Sequence, residues 1–362
     1  MPRPRRTTAP HGTSHTLHLF IPSLHDGSPL EASITVPIQL ASAANSAPRI
    51  RKAAVFAHPY GPLGGSFNDG CVVYMRELLV SLGYIVAIFN FRGVGNSKGA
   101  TSWTGRAETE DYTSVAGWVV SFAAGMVGAV SQSSSSSPLP AREGREGDST
   151  AKEGIELLIG GYSYGGLIAA QSPTASELVD RIIEARGEYA KALKEARDMA
   201  ERWQESHSDG RTSYSSPRTS MTGAARPHAA VTVTGSATLS PTSASPSAPS
   251  ARLDLKKARI TTSYLLISPP LPPVSSFLLP GWLCLPGYSV QTIMEPGTLA
   301  NRKSRMLCVW GDDDVFTGVK RYRKWAERMG EEWFQGVEVA KAGHFWRRQG
   351  LEEVKREVEG WI

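Results

Sequence analysis

Cysteine is scarce: three in 362 residues, Cys71, Cys284 and Cys308, odd in number and with no CxxC pair. That pattern excludes a disulfide framework and fits free thiols in a reducing compartment, so a cytoplasmic protein is expected. Metal-ligand spacing is missing too. No histidine pairs with a cysteine at knuckle spacing, and His11, His15 and His18, though four and three residues apart, lie at the strand-like run 15–21, so neither a metal nor another cofactor is expected. No uninterrupted apolar run reaches the roughly 18 residues of a membrane span, and the start of the chain lacks the apolar core of a signal peptide. No stable membrane insertion is expected. Charge of one sign is in short supply as well. The net charge is +5, three arginines of the excess lie within Met1–Arg6, and no basic face with interleaved aromatics follows. Nucleic acid is therefore not an expected partner.

What is present is a globular core with dilutions. Hydrophobic residues make up 41% of the chain, and its length suffices for a large buried core. Short apolar runs of strand length recur at 15–21, 30–36, 53–57, 84–91, 155–159, 264–267, 306–310 and 337–340. The first two are joined by His25-Asp-Gly-Ser28, a hairpin-like link. Helical spacing connects the others: Val72, Met75, Leu78 and Leu82, then Val319, Tyr322, Ala326 and Met329, and finally Leu351, Val354, Val358 and Ile362. Strands alternating with helices predict an α/β protein with a mainly parallel sheet covered on both faces.

Residues 1–12 read as a disordered tail and 13–362 as one domain with two interruptions. The first is a low-complexity loop at 131–152, rich in Ser, Pro and Gly. The second is an insertion at 173–257, comprising a helix over 176–206 and a disordered stretch over 208–252. In that helix Leu178, Ile182, Tyr189, Leu193, Ala196, Met199 and Trp203 form one stripe, expected to pack on the protein's own core rather than on a partner or membrane. Glu177/Arg181, Lys191/Glu195 and Lys194/Asp198 are spaced as ion pairs on its other face.

The decisive pattern is Gly161-Tyr-Ser-Tyr-Gly165, with an apolar run before it and a small-residue helix after it. A serine in a tight strand-to-helix turn needs small neighbours two residues away, so that strand and helix can approach while the hydroxyl is lifted clear of the sheet. Ser163 is the candidate nucleophile. A serine hydroxyl needs a base, and the base needs a carboxylate to orient it, in the chain order Ser, acid, His for this kind of turn. His344, in Lys341-Ala-Gly-His344, follows the last strand-like run and is the candidate base. The acid lies among Asp312, Asp313 and Asp314, which composition alone does not separate. The three carboxylates do not form an EF-hand, because the twelfth position counted from Asp312 is Arg323.

Two loops complete the candidate site. After the 53–57 run the chain reads His58-Pro-Tyr-Gly-Pro-Leu-Gly-Gly65, the place for one oxyanion-hole N–H, with the other from Tyr164. Pro59 has no N–H, so Tyr60 is the expected donor, and His58 is expected to support the loop. Phe89–Gly99 (FNFRGVGNSKG) superficially resembles a phosphate cradle, but its spacing is G-x-G-x-x-x-G and no Walker pattern occurs. Arg92 is expected to anchor this loop.

Taken in order, His58–Gly65, Phe89–Gly99, Gly161–Gly165, Ser268-Pro-Pro270, Gly311–Asp314 and Gly343–Phe345 resemble the motif series of a group of small hydrolases in the α/β-hydrolase superfamily. The resemblance covers about 50–130, 153–172 and 258–362. It implies the α/β-hydrolase fold and a Ser163–Asp314–His344 triad, since the G-x-x-D register selects Asp314. The activity implied is hydrolysis of an ester, thioester or amide of a small substrate through an acyl-enzyme, without a cofactor. Two departures stand out. The insertion follows the elbow helix, whereas the usual lid follows the sixth strand, and a proline occupies the oxyanion loop where many esterases carry His-Gly-Gly. The apolar run Phe277–Leu285 is expected to form pocket wall and core. A short-peptide peptidase on the same triad, marked by acidic residues for a free amino terminus, and a non-catalytic binding protein on this scaffold are the alternatives.

Overall fold

The computed structural model describes residues 14–38, 40, 50–102, 104–128, 154–208, 254–256, 258–272, 294, 299 and 304–362. All eight strand-like runs form strands: β1 Ser14–Pro22, β2 Pro29–Pro37, β3 Ile50–Ala57, β4 Ile85–Phe89, β5 Gly154–Tyr162, β6 Arg259–Ile267, β7 Arg305–Asp313 and β8 Phe334–Gly343. They make one sheet in the order β1-β2-β4-β3-β5-β6-β7-β8. β1 and β2 pair as the antiparallel hairpin, β2 joins β4 antiparallel, and β3 to β8 run parallel. This is the α/β-hydrolase fold. Because six strands are parallel, the loops after them gather along one edge of the sheet, where an open α/β sheet presents its ligand site.

Seven helices flank the sheet among the described residues: α1 Gly70–Ser81, α2 Arg106–Gly128, α3 Tyr164–Ala169, α4 Ala175–Glu184, α5 Gly187–Ser208, α6 Val319–Ala326 and α7 Arg348–Trp361. α1 starts where Asp69 accepts the Cys71 N–H at 2.9 Å, an N-cap that satisfies one of the orphan donors of the first turn. With α7 it covers one face through Val72, Met75, Leu79, Leu351, Val354 and Val358. The remaining helices cover the other face, where Tyr112, Val119, Phe122, Leu193 and Ala196 meet the strands. A strand covered on both sides reads as a continuous apolar run, which is why β3 to β7 stand out in the sequence.

The single helix expected over 176–206 is two. α4 opens on a capping box between Thr174 and Glu177 and stops at Glu184; Ala185 turns to an extended ψ of 141° and Gly187 takes φ +60°, a left-handed angle that favours glycine. The apolar stripe hides the break, because Ile182 and Tyr189 are two helical turns apart in either case. The stripe does pack inward, with Leu178, Ile182, Tyr189, Leu193, Ala196 and Trp203 buried and Tyr189 Oη donating to Ser114 O of α2 at 3.0 Å. Lys194 pairs with Asp198 as spaced, whereas Lys191 turns back to Glu188 and Arg181 bridges to Glu110 of α2, each at 2.6–2.7 Å.

β8 is the last strand of the sheet and has one irregularity. Its register with β7 shifts between Gly311 and Asp313, and Lys341 there adopts φ +58° while donating its N–H to Asp312 Oδ1 at 2.6 Å. The bulge bends the end of the strand just before His344.

Cys71 and Cys308 are buried free thiols. Among the described residues no helix is long and apolar enough to cross a membrane, and no cluster of three or more His, Cys, Asp or Glu is arranged to hold a metal. The expected tail 1–12, the loop 131–152, the stretch 209–252, Cys284 and the apolar run Phe277–Leu285 lie outside the described residues.

Candidate active site

Ser163 stands between β5 and α3 with φ 55° and ψ −121°, a conformation that costs a non-glycine residue of order 1–3 kcal/mol and persists only where its surroundings impose it. They do so through close packing. A Cβ on Gly161 would lie 2.3 Å from the Gly165 carbonyl carbon, and one on Gly165 would lie 2.4 Å from Ala57 O, so both motif glycines are sterically required. The Ser163 N–H is held by Ile267 O of β6 at 2.8 Å.

Three of the predicted residues come together around that hydroxyl. His344 Nε2 lies 2.8 Å from Ser163 Oγ, and His344 Nδ1 lies 2.8 Å from Asp314 Oδ2. An ionised carboxylate only accepts, so Nδ1 carries the proton and Nε2 is left to accept from the serine hydroxyl. Asp314 is itself fixed, its Oδ1 accepting the N–H groups of Phe316 at 2.8 Å and Thr317 at 3.0 Å. Its neighbours do other things: Asp313 is exposed at the end of β7 and Asp312 closes the β8 bulge. All three are buried, Ser163, Asp314 and His344 being 4–6% exposed. Phe316 packs against the imidazole with centroids 4.5 Å apart. A cleft of about 740 Å³ opens against His344, but its walls come from β8, α7 and the Asp313–Val315 turn, and Ser163 is not among them.

The predicted oxyanion residues sit side by side, with the Tyr60 and Tyr164 rings 5.0 Å apart. The carbonyls of Ala57 and His58 press on Gly165, so the β3 loop abuts the elbow. His58 supports this loop as expected. It is buried between Pro59 O, which Nδ1 meets at 2.6 Å, and the Phe91 N–H, which donates to Nε2 at 3.0 Å. Burial lowers its pKa from 6.5 to about 4, so the ring is neutral and its lone pair already taken. Arg92 anchors the second loop through a fork onto Asp111 of α2, at 2.9 and 2.6 Å, and a bond to Asp26 of the hairpin turn at 3.1 Å. Glu108 lies close enough to raise the phenol pKa values of Tyr60 and Tyr164, after burial itself; its oxygens accept from Ser102 N and Oγ at 2.6 and 2.5 Å.

Sequence reasoning missed several members. Tyr162 Oη donates to His344 O at 2.8 Å, Trp346 Nε1 donates to Ser268 Oγ at 3.2 Å, and Asp111 holds Arg92. Tyr162 is a free position in G-x-S-x-G, and Asp111 lies one face of a helix away from any motif, so neither carries a sequence signal.

The family model for the X-Pro dipeptidyl-peptidases (S15 family) matches residues 26–216, more than half of the chain. The chain belongs to the S15 family. The S15 match takes in the β3 loop, the Arg92 loop and the serine elbow, and ends before the strands that Asp314 and His344 follow. Membership makes the protein a serine hydrolase of the α/β-hydrolase class. No curated protein matches it. Among solved structures, it is similar to an α/β serine hydrolase homologue from Coxiella burnetii (17% identity, 96% of this chain and 97% of that one, TM-score 0.48). It is also similar to an α/β serine hydrolase without lid from Xanthomonas campestris (16%, 98% of both chains, TM-score 0.45) and to an esterase from Pyrococcus furiosus (12%, 99% and 100%, TM-score 0.43). These likenesses are distant.

Proposed function

We propose that Ser163 is the nucleophile of an acyl-transfer hydrolase, with His344 as general base and Asp314 fixing its tautomer. One observation carries the reading: the unbroken chain of 2.8 Å contacts from Asp314 Oδ2 through the imidazole to Ser163 Oγ. Ser163 attacks the carbonyl of a small ester, thioester or amide as His344 takes its proton. The oxyanion that forms is met by the N–H groups of Tyr60 and Tyr164, each such donor typically contributing a few kcal/mol. His344 then returns the proton to the leaving group, and a water activated by the same base hydrolyses the acyl-enzyme. The group of small hydrolases with the same motif series, and a cytoplasmic location with reduced thiols at Cys71 and Cys308, belong to the same reading.

The test is labelling of native protein by a fluorophosphonate probe. Wild type labels, Ser163→Ala does not, and His344→Ala labels far more slowly. Folded wild type that stays unlabelled overturns the reading in favour of a binding protein on a hydrolase scaffold.

The S15 match favours a second reading, a peptidase acting on short peptides with the same triad. Turnover of p-nitrophenyl acetate set against a dipeptidyl anilide with penultimate proline decides between them.

A further inference from the structure

Asp314 orients the His344 ring, and the neighbouring backbone is tied on one side by the Asp313–Gly343 register of β7 and β8 and on the other by Trp346 Nε1 on Ser268 Oγ. The main chain of His344 leaves the outermost strand of the sheet, just past the Lys341 bulge, and the next residue, Phe345, is 71% exposed. A further tie on the His344 carbonyl would fix the backbone that carries the base.

Tyr162 does this from an unexpected direction. It precedes Ser163 on β5, and β6 and β7 lie between β5 and β8. Its side chain enters the face covered by α1 and α7, is 3% exposed, and donates Oη to the main-chain O of His344 at 2.8 Å. The two rings lie 5.6 Å apart at 37°. Burial first, and then the nearby Cys71, Asp69 and Asp314, push the phenol well above its ordinary pKa, so the hydroxyl remains a donor throughout any practical assay range.

Consecutive residues of one strand end thus grip the base at two points, Ser163 Oγ on the ring and Tyr162 Oη on the carbonyl. We propose that Tyr162 is a positioning residue that sets the nucleophile–base distance by holding the main chain of His344. The proposal rests on the assignment of Ser163 and His344 as nucleophile and base.

Tyr162→Phe keeps the ring and removes only the donor. In the full-length protein, the second-order rate of fluorophosphonate labelling should fall about tenfold, as should kcat for p-nitrophenyl acetate, with KM unchanged. Tyr162→Met, which also removes the ring, should slow labelling at least as much. The control is Tyr84→Phe, which removes another buried hydroxyl bonded to β5, at Glu156 Oε1 (2.9 Å), near the opposite end of the strand from Ser163. It should label at the wild-type rate, and urea unfolding of all three variants reports whether each is folded. The proposal falls if Tyr162→Phe labels within about twofold of wild type, if Tyr84→Phe slows labelling equally, or if the loss appears in KM. If wild type labels and Ser163→Ala does not, while Tyr162→Phe labels normally, only the role of Tyr162 is lost. An unlabelled wild type removes the triad assignment and the proposal with it.

Discussion

Acidification from about pH 7.5 to 5.0 destabilises this protein by about 2 kcal/mol through His58 alone. The imidazole is fully buried and its two nitrogens are committed, Nδ1 to Pro59 O and Nε2 to the Phe91 N–H. Protonation would replace the acceptor at Nε2 by a donor facing another donor, in a site without a counter-charge. The folded protein therefore refuses the proton until pH about 4, whereas an unfolded histidine takes it up near 6.5. The sign follows: as pH falls through the unfolded value the unfolded state binds more protons, stability is lost, and the loss levels off below the folded value at about 3 kcal/mol. Urea unfolding at the two pH values, for wild type and His58→Gln, isolates this from other groups. The glutamine offers Oε1 to Phe91 N but does not titrate. With slopes of roughly 1–3 kcal/mol/M, the wild-type midpoint should move by roughly 1 M more than that of the variant. A direct check is the His58 ring signal in a histidine-labelled NMR titration, which should stay unchanged above about pH 5. A His58 midpoint near 6.5, or equal pH dependence in the two proteins, refutes the reasoning.

Three further outcomes follow from other buried groups. Asp111→Ala leaves the Arg92 guanidinium, 4% exposed, without its forked partner and should cost about 3–5 kcal/mol in chemical unfolding. Arg51, 1% exposed, has among the described residues only a long 3.4 Å bond to Met126 O, and its Nε and Nη1 find no partner among them. Arg51→Met should therefore leave stability unchanged or raise it by about 1–4 kcal/mol, read as a higher urea midpoint. Ser163→Gly should be more stable than Ser163→Ala by about 1 kcal/mol, against glycine's usual penalty, because only glycine adopts φ 55°, ψ −121° without strain.

The fold is legible because buried strands write themselves as apolar runs, and the limits of that legibility are physical. β3 begins at Ile50, three residues before the run at Ala53, because Arg51 and Lys52 read as a solvated end although Arg51 is buried under α2. The α4–α5 break is invisible to periodicity, since it preserves the stripe's phase, and only Gly187 marks it. At the site, Ser163 and its glycines are legible because the turn's sterics permit so little else. Asp312, Asp313 and Asp314 are chemically identical, and only the bend of the chain after β7 decides which meets His344. Tyr162 is silent because its partner is a main-chain carbonyl, an atom every residue supplies.

The kink at Lys341 also bears on how the protein behaves in company. β8 ends the sheet, and a straight terminal strand offers a ladder of main-chain groups on which another chain can crystallise into fibrils or stacks. The left-handed turn at Lys341, stapled by Asp312, interrupts that ladder and sets a charged side chain on the exposed rim. A protein straightened there by loss of the Asp312 carboxylate would misaim its histidine and become stickier at the same time. Solubility and the aim of the histidine thus depend on the same two residues, Asp312 and Lys341.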